Sequence, residues 1–68
     1  MTTRDRILDA ISTWHLFYDY PPSFRDIQQF AQLSSPSVVL YQLRRLRDEG
    51  KVRWVPRVAR SVRLVGAA

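Results

Sequence analysis

Cysteine is absent, so neither a disulfide framework nor a cysteine-based zinc site can stabilise this chain. His15 is the single histidine and cannot build a metal centre by itself, and no cofactor is expected. No apolar run approaches the roughly 18 residues of a membrane span, and the opening Met1-Thr2-Thr3-Arg4-Asp5-Arg6 lacks the apolar stretch of a signal peptide. The expected address is the cytoplasm. Internal repeats and low-complexity stretches are also missing. With 68 residues there is no room for a second domain, so residues 1–68 are expected to form one. A chain this short buries only about 60% of its unfolded surface, which disfavours a deep catalytic pocket. No nucleophile with a base, no carboxylate pair and no metal cluster stands out, so an enzyme is not expected.

What the chain does have is an ordinary globular balance, 46% hydrophobic and 25% charged, which favours independent folding over disorder. Its charge is unevenly placed. Residues 1–43 carry Arg4, Arg6 and Arg25 against four aspartates, a net of −1, whereas residues 44–68 carry eight basic residues against Asp48 and Glu49, a net of +6. A face kept charged only for solubility would mix the signs and use more lysine. Ten of the eleven basic residues are arginine, suited to bidentate contacts with phosphate and guanine, although a GC-rich genome gives the same bias. The pattern points to nucleic acid as the partner.

Hydrophobic spacing divides the chain into five elements. Thr2-x-x-Asp5 has the form of a capping box, and Ile7, Leu8, Ile11, Trp14 and Phe17 or Tyr18 recur at three and four residues, which predicts a helix over about 3–18. Pro21-Pro22 cannot continue it. Ser23 with Asp26 repeats the capping signal and opens a short helix over about 24–31, its buried side set by Phe24, Ile27, Phe30 and Ala31. Ser35 followed by Pro36 starts a third helix over about 36–49, stopped by Gly50. Val39, Leu43 and Leu46 form its core stripe, leaving Ser37, Tyr41, Arg44, Arg45 and Asp48 centred on the opposite side, with Val38 and Leu40 at the flanks.

After Gly50 the period changes to two. Val52 and Trp54, then Val62 and Leu64, alternate with polar or outward residues, which predicts strands over about 51–55 and 61–65 joined by a loop at 56–60 with two arginines at its tip. A lone hairpin is marginal, so its apolar side must pack on the helices. The expected fold class is therefore α+β, mainly α: a three-helix winged helix-turn-helix with a C-terminal two-stranded β-hairpin wing.

The ordered set Pro21-Pro22-Ser23-Phe24-Arg25-Asp26-Ile27, Ser34-Ser35-Pro36-Ser37, Leu43-x-x-Leu46-x-x-x-Gly50 and Arg60-x-x-Arg63-Leu64 resembles the amino-terminal DNA-binding domain of LexA repressors. The resemblance spans nearly the whole chain. It implies an operator-binding domain, a transcriptional regulator acting as a repressor on double-stranded DNA, whose third helix enters the major groove and whose wing reaches phosphate or the minor groove. Such a protein would sit on the nucleoid.

By position, Ser35 resembles the family's DNA-contacting serine at the start of the recognition helix, and Ser37, Val38, Leu40 and Tyr41 fall where the family reads bases. Enterobacterial members have asparagine at position 37 and two glutamates at 40 and 41. Leu40 and Tyr41 cannot accept from cytosine amino groups, so the usual operator does not carry over. The expected DNA-binding residues are Ser35, Ser37, Val38, Tyr41, Arg44, Arg45, Arg57 and Arg60. Ser35 also suits a cap and Tyr41 also suits packing on Arg44 or Arg45. Arg57 and Arg60 are expected on the phosphate backbone because their loop should project. Leu40 reads as a packing or protein-contact residue, and Arg53 with Arg63 as a solvated pair on the outer side of the sheet. His15, Trp14, Phe17 and Tyr18 read as core or core edge.

Repressors of the family also carry a self-cleaving peptidase domain with a serine and lysine pair, which dimerises them. Sixty-eight residues do not hold it: damage-triggered autocleavage is excluded if they are the whole gene product and is not if they belong to a longer chain. A homodimer on two half-sites is expected to be needed for tight repression, with the first helix as its surface. The alternative is a winged-helix module that docks on proteins through Val38, Leu40 and Tyr41 without sequence-specific DNA binding.

Overall fold

A computed structural model describes residues 2–66. It contains α1 (Thr3–Phe17), α2 (Phe24–Phe30), α3 (Pro36–Asp48), β1 (Val52–Arg53) and β2 (Arg63–Leu64). This is the expected mainly helical fold, three helices followed by an antiparallel hairpin. The helices end about one residue earlier than the periodicity suggests, and the strands are much shorter.

Both expected capping boxes form. The Thr2 hydroxyl accepts from the Asp5 amide at 3.1 Å while the Asp5 carboxylate takes the Thr2 amide, and Ser23 with Asp26 does the same at the start of α2. Each satisfies donors that the first helical turn leaves unpaired. Ile7, Ala10, Ile11 and Trp14 bury the face of α1. Beyond Trp14 the chain leaves the core: Leu16 is 81% exposed and Phe17 71% exposed, and His15 is exposed as well. The core reading of His15 and Phe17 is therefore corrected, because α1 overhangs its partners by its last turn. Trp14 instead gathers the aromatic residues that follow. Its indole donates to the Tyr20 carbonyl at 2.6 Å, and its ring stacks on Tyr18 and meets Phe30 edge to face. Phe30 and Phe24 sit at the rims of α2, Phe24 against Trp54, while Ile27 is its buried residue and Ala31 is buried at its C-cap.

The stops of α2 and α3 share one geometry. Past α3, the Gly50 amide donates to the Arg47 carbonyl at 2.9 Å and the Lys51 amide to the Leu46 carbonyl at 2.8 Å, with Gly50 at φ 77. Past α2, Gln32 and Leu33 make the corresponding bonds to Gln29 and Gln28, with Gln32 at φ 57. The second stop has no glycine to announce it. Both are left-handed caps that satisfy terminal carbonyls, and only the first uses the residue that adopts this conformation without steric cost. Arg6 donates to the Gln32 carbonyl, tying α1 to the helix-turn-helix corner.

Val39, Leu43 and Leu46 bury the inner face of α3 as the spacing predicts. Val52 and Val62 complete the same cluster from the hairpin, so the wing is rooted in the helical core. Val52 pairs with Leu64 and Arg53 with Arg63. The ladder stops there because the Ser61 hydroxyl replaces a cross-strand backbone partner, accepting from the Val55 amide at 3.0 Å and facing the Val58 carbonyl at 2.9 Å. Alternation alone had placed Ser61 on the outside.

The two caps give a paired prediction. A Cβ at Gly50 meets nothing within 4 Å, so Gly50→Ala has only a conformational cost and should destabilise the fold by about 1 kcal/mol. Gln32→Gly should change stability in the opposite direction, by up to about 1 kcal/mol. Urea unfolding midpoints at constant slope check both.

Candidate nucleic-acid interface

The outer side of α3 presents Ser37, Val38, Tyr41, Arg44 and Arg45 to solvent, with Tyr41 56% exposed and Leu40 only partly so. The first acid along this helix is Asp48, in its last turn. Three turns of surface therefore offer donors and apolar groups and no carboxylate. Arg45 donates to the Tyr41 hydroxyl at 3.1 Å, and its guanidinium lies 5.8 Å from the ring centroid. This i,i+4 contact holds the two side chains as a unit and leaves the hydroxyl proton of Tyr41 available. Arg44 has no ion pair or hydrogen bond among the described residues.

Ser35 occupies the cap position of α3 in an extended conformation, but its hydroxyl makes no capping bond. Of the two roles open to it in the sequence, the cap is thus not taken up. The residue immediately precedes the first turn of α3, where the helix dipole favours an anion.

The wing divides its two arginines. Val55 to Val58 form a turn closed by the Val58 amide on the Val55 carbonyl at 3.1 Å, with Pro56 second and Arg57 third at φ 66. That is the position at which a type II turn favours glycine, so Arg57 keeps its side chain at a conformational cost. Arg57 is exposed and unpaired among the described residues. Arg60, also left-handed at φ 56, folds back onto the body. Its guanidinium donates to Asp26 at 2.6 Å and lies over the rings of Tyr20 and Trp14 at 5.0 and 5.8 Å. The loop therefore projects only one of the two side chains that the sequence placed at its tip.

Asp26 receives both the cap and this arginine. Burial pushes its carboxyl up, but the Ser23 amide and hydroxyl and the Arg60 guanidinium outweigh burial and hold it below the ordinary 3.8. A second ion pair, the bidentate Arg4–Glu49, joins the start of α1 to the end of α3, and the Arg4 hydrogen bond is the main cause of a lowered Glu49 pKa. Arg47 stacks on Trp54 at 4.5 Å, fixing the base of the wing to α3.

Arg25 escaped the sequence reading. It is the second residue of α2, exposed, and it lines both the notch beside Pro36 and Val39 at the start of α3 and the groove beneath Arg57 in the wing. Counting charge by halves of the chain hid it, since it lies in the acidic half. Its place in the first turn after a capping serine was the available signal.

A model of the LexA DNA-binding domain matches residues 1–61. The chain belongs to the LexA DNA-binding domain family. A LexA repressor of Herpetosiphon aurantiacus is 38% identical over 64 residues, covering 94% of this chain and 30% of that protein. One from Bifidobacterium longum is 39% identical over 69 residues, covering 100% and 29%, and one from Corynebacterium glutamicum is 42% identical over 57 residues, covering 84% and 25%. The chain spans less than a third of the length of these LexA relatives. Among the described residues no helix is long and apolar enough to cross a membrane, and no group of three histidines, cysteines or acids is placed to hold a metal.

The Asp26–Arg60 contact sets a pH dependence for this LexA-family fold. A carboxyl whose folded pKa is depressed stabilises the fold fully above its unfolded value and loses that contribution as the pH falls through the folded one. Stability should therefore decline below 3.8 in the wild type. With the Arg60 side chain 45% exposed the pair is screened, and Asp26→Asn should cost about 0.5–1 kcal/mol at neutral pH while flattening the acid decline. Thermal melts of both proteins from pH 7 to pH 3 decide it: an equal acid decline in the variant is the adverse result.

Proposed function

We infer that residues 1–68 act as one winged-helix unit that recognises a specific sequence in double-stranded DNA and represses transcription by occupying it. The observation that carries this reading is the outer face of α3, free of carboxylate up to Asp48 in its last turn and flanked by arginines on two other elements that are unpaired among the described residues, in a chain of the LexA DNA-binding domain family. α3 enters the major groove, where Ser37, Val38 and the Tyr41–Arg45 unit meet base edges. Arg44, Arg57 and Arg25 neutralise phosphates, and the Ser35 hydroxyl joins the first-turn amides of α3 on another. Arg60 is a positioning residue: it holds the wing against the start of α2 and so sets the distance between Arg57 and the recognition helix. The role is binding without catalysis.

A single module buries about 600–1,000 Å² on DNA, which supports two copies on adjacent half-sites for tight repression. The exposed Leu16 and Phe17 at the end of α1 are the proposed contact between copies. The proposed address is the cytoplasm, on the nucleoid.

Binding to random-sequence duplexes at two salt concentrations tests the reading, followed by selection of the preferred site. Arg57→Ala and Arg44→Ala should each weaken all sequences alike and reduce the log–log salt slope by about 0.9. Absence of binding at low salt, or binding indifferent to salt, defeats the proposal. Arg57→Gly adds a sharper expectation: it should raise the melting temperature, because glycine tolerates φ 66, while weakening DNA binding as Arg57→Ala does.

A further inference from the structure

The outer side of the wing holds an arrangement that folding does not explain. Arg53 lies directly opposite Arg63 in the ladder, and both side chains are exposed. Neither has an ion pair among the described residues, and no acidic residue occurs from Lys51 to the end of the chain. Like charges directly across a ladder repel, and an acid at either position would turn that cost into a favourable pair. Among the described residues, the carboxylate paired with a wing arginine is Asp26, and it is committed to Arg60.

The two arginines line an open depression of about 350 Å³ together with Pro21, Trp54, Val55, Ser61 and Arg60, whose own charge is taken by Asp26. Trp54, Val55 and Ser61 also line the groove of about 390 Å³ that Arg25 and Arg57 share on the α2 side. The wing thus separates two arginine-lined depressions. Arg53 and Arg63 have no anionic partner among the described residues, and guanidinium pairs favour the oxygens of a phosphate.

We propose that Arg53 and Arg63 clamp a DNA backbone phosphate on the outer side of the wing, on the strand across the minor groove from the one met by Arg57. A groove about 6 Å wide brings both backbones within reach of a loop that carries cations on its two sides. This assignment rests on the duplex-DNA reading above.

The test uses the duplex selected by the wild-type chain. Arg53→Gln/Arg63→Gln should bind it with a log–log salt slope shallower by about 0.9 and, near 0.1 M salt, about 8-fold more weakly, with sequence preference unchanged. The same variant should melt at a higher temperature, since it removes the repulsion. Arg53→Lys/Arg63→Lys should keep the slope. If the wild type binds and the glutamine variant keeps its slope, the clamp is wrong and the DNA reading stands. If the wild type binds no duplex at low salt, both fall. A lower melting temperature that accounts for the weaker binding would make the pair structural and overturn the clamp. Inorganic phosphate at the duplex's phosphate concentration distinguishes the source: if it shifts the Arg53 and Arg63 Nε resonances as the duplex does, the site takes a free anion and the backbone assignment fails.

Discussion

Every element of this chain depends on one small apolar cluster. Ile7 and Ile11 of α1, Ile27 of α2, Val39, Leu43 and Leu46 of α3, and Val52 and Val62 of the hairpin share a single core, and no polar or charged residue is buried with them among the described residues. A fold of this size has little surface to remove from water, so each element must contribute to the same cluster. One consequence is geometric. The wing is held by Val52 and Val62 to the residues that hold α3, so the two candidate DNA-contacting elements are packed on one core.

Because the core takes no charge, the arginines are arranged at the surface, and the surface contacts sort them by role. Arg4, Arg47 and Arg60 fasten one element to another through Glu49, Trp54 and Asp26. Arg45 is braced by Tyr41. Arg25, Arg44, Arg53, Arg57 and Arg63 have no such commitment among the described residues. An exposed pair contributes little stability, so these fastenings matter more for direction than for energy. Two uncommitted positions are unfavourable for folding: Arg57 occupies a left-handed turn position suited to glycine, and Arg53 faces Arg63 across the ladder. Local cost retained without structural return is the expected mark of a ligand surface.

The fold was legible because its signals are local. Capping serine and threonine with an aspartate three residues on, proline at a first helical position, glycine after a last one and the change of period near residue 50 each act within a few residues. The misses occurred where distant segments compete. Phe17 matches the periodicity of α1 but lies beyond the reach of its packing partners. Ser61 matches an outward strand position but is drawn inward by unpaired backbone groups of the loop. The α2 stop at Gln32 carries no local signature and is held in part by Arg6 from another helix.

The candidate site follows the same division. The outer face of α3 could be read from 3.6-residue geometry, and the excess of arginine in the last third of the chain pointed to an acidic partner. Which arginines remain available could not be read, because that depends on contacts between residues 34 or 45 positions apart, as in Arg60 with Asp26 and Arg4 with Glu49. Sequence by itself determined the elements, the core stripe and the excess of positive charge in the last third, since hydrophobic period, capping and composition are properties of short segments. Only the tertiary structure decided that Arg60 holds the wing, that Arg25 shares a groove with Arg57, and that Arg53 and Arg63 face each other without a counter-charge among the described residues. Those assignments follow from packing several segments on one core, which brings together side chains that the linear order keeps apart.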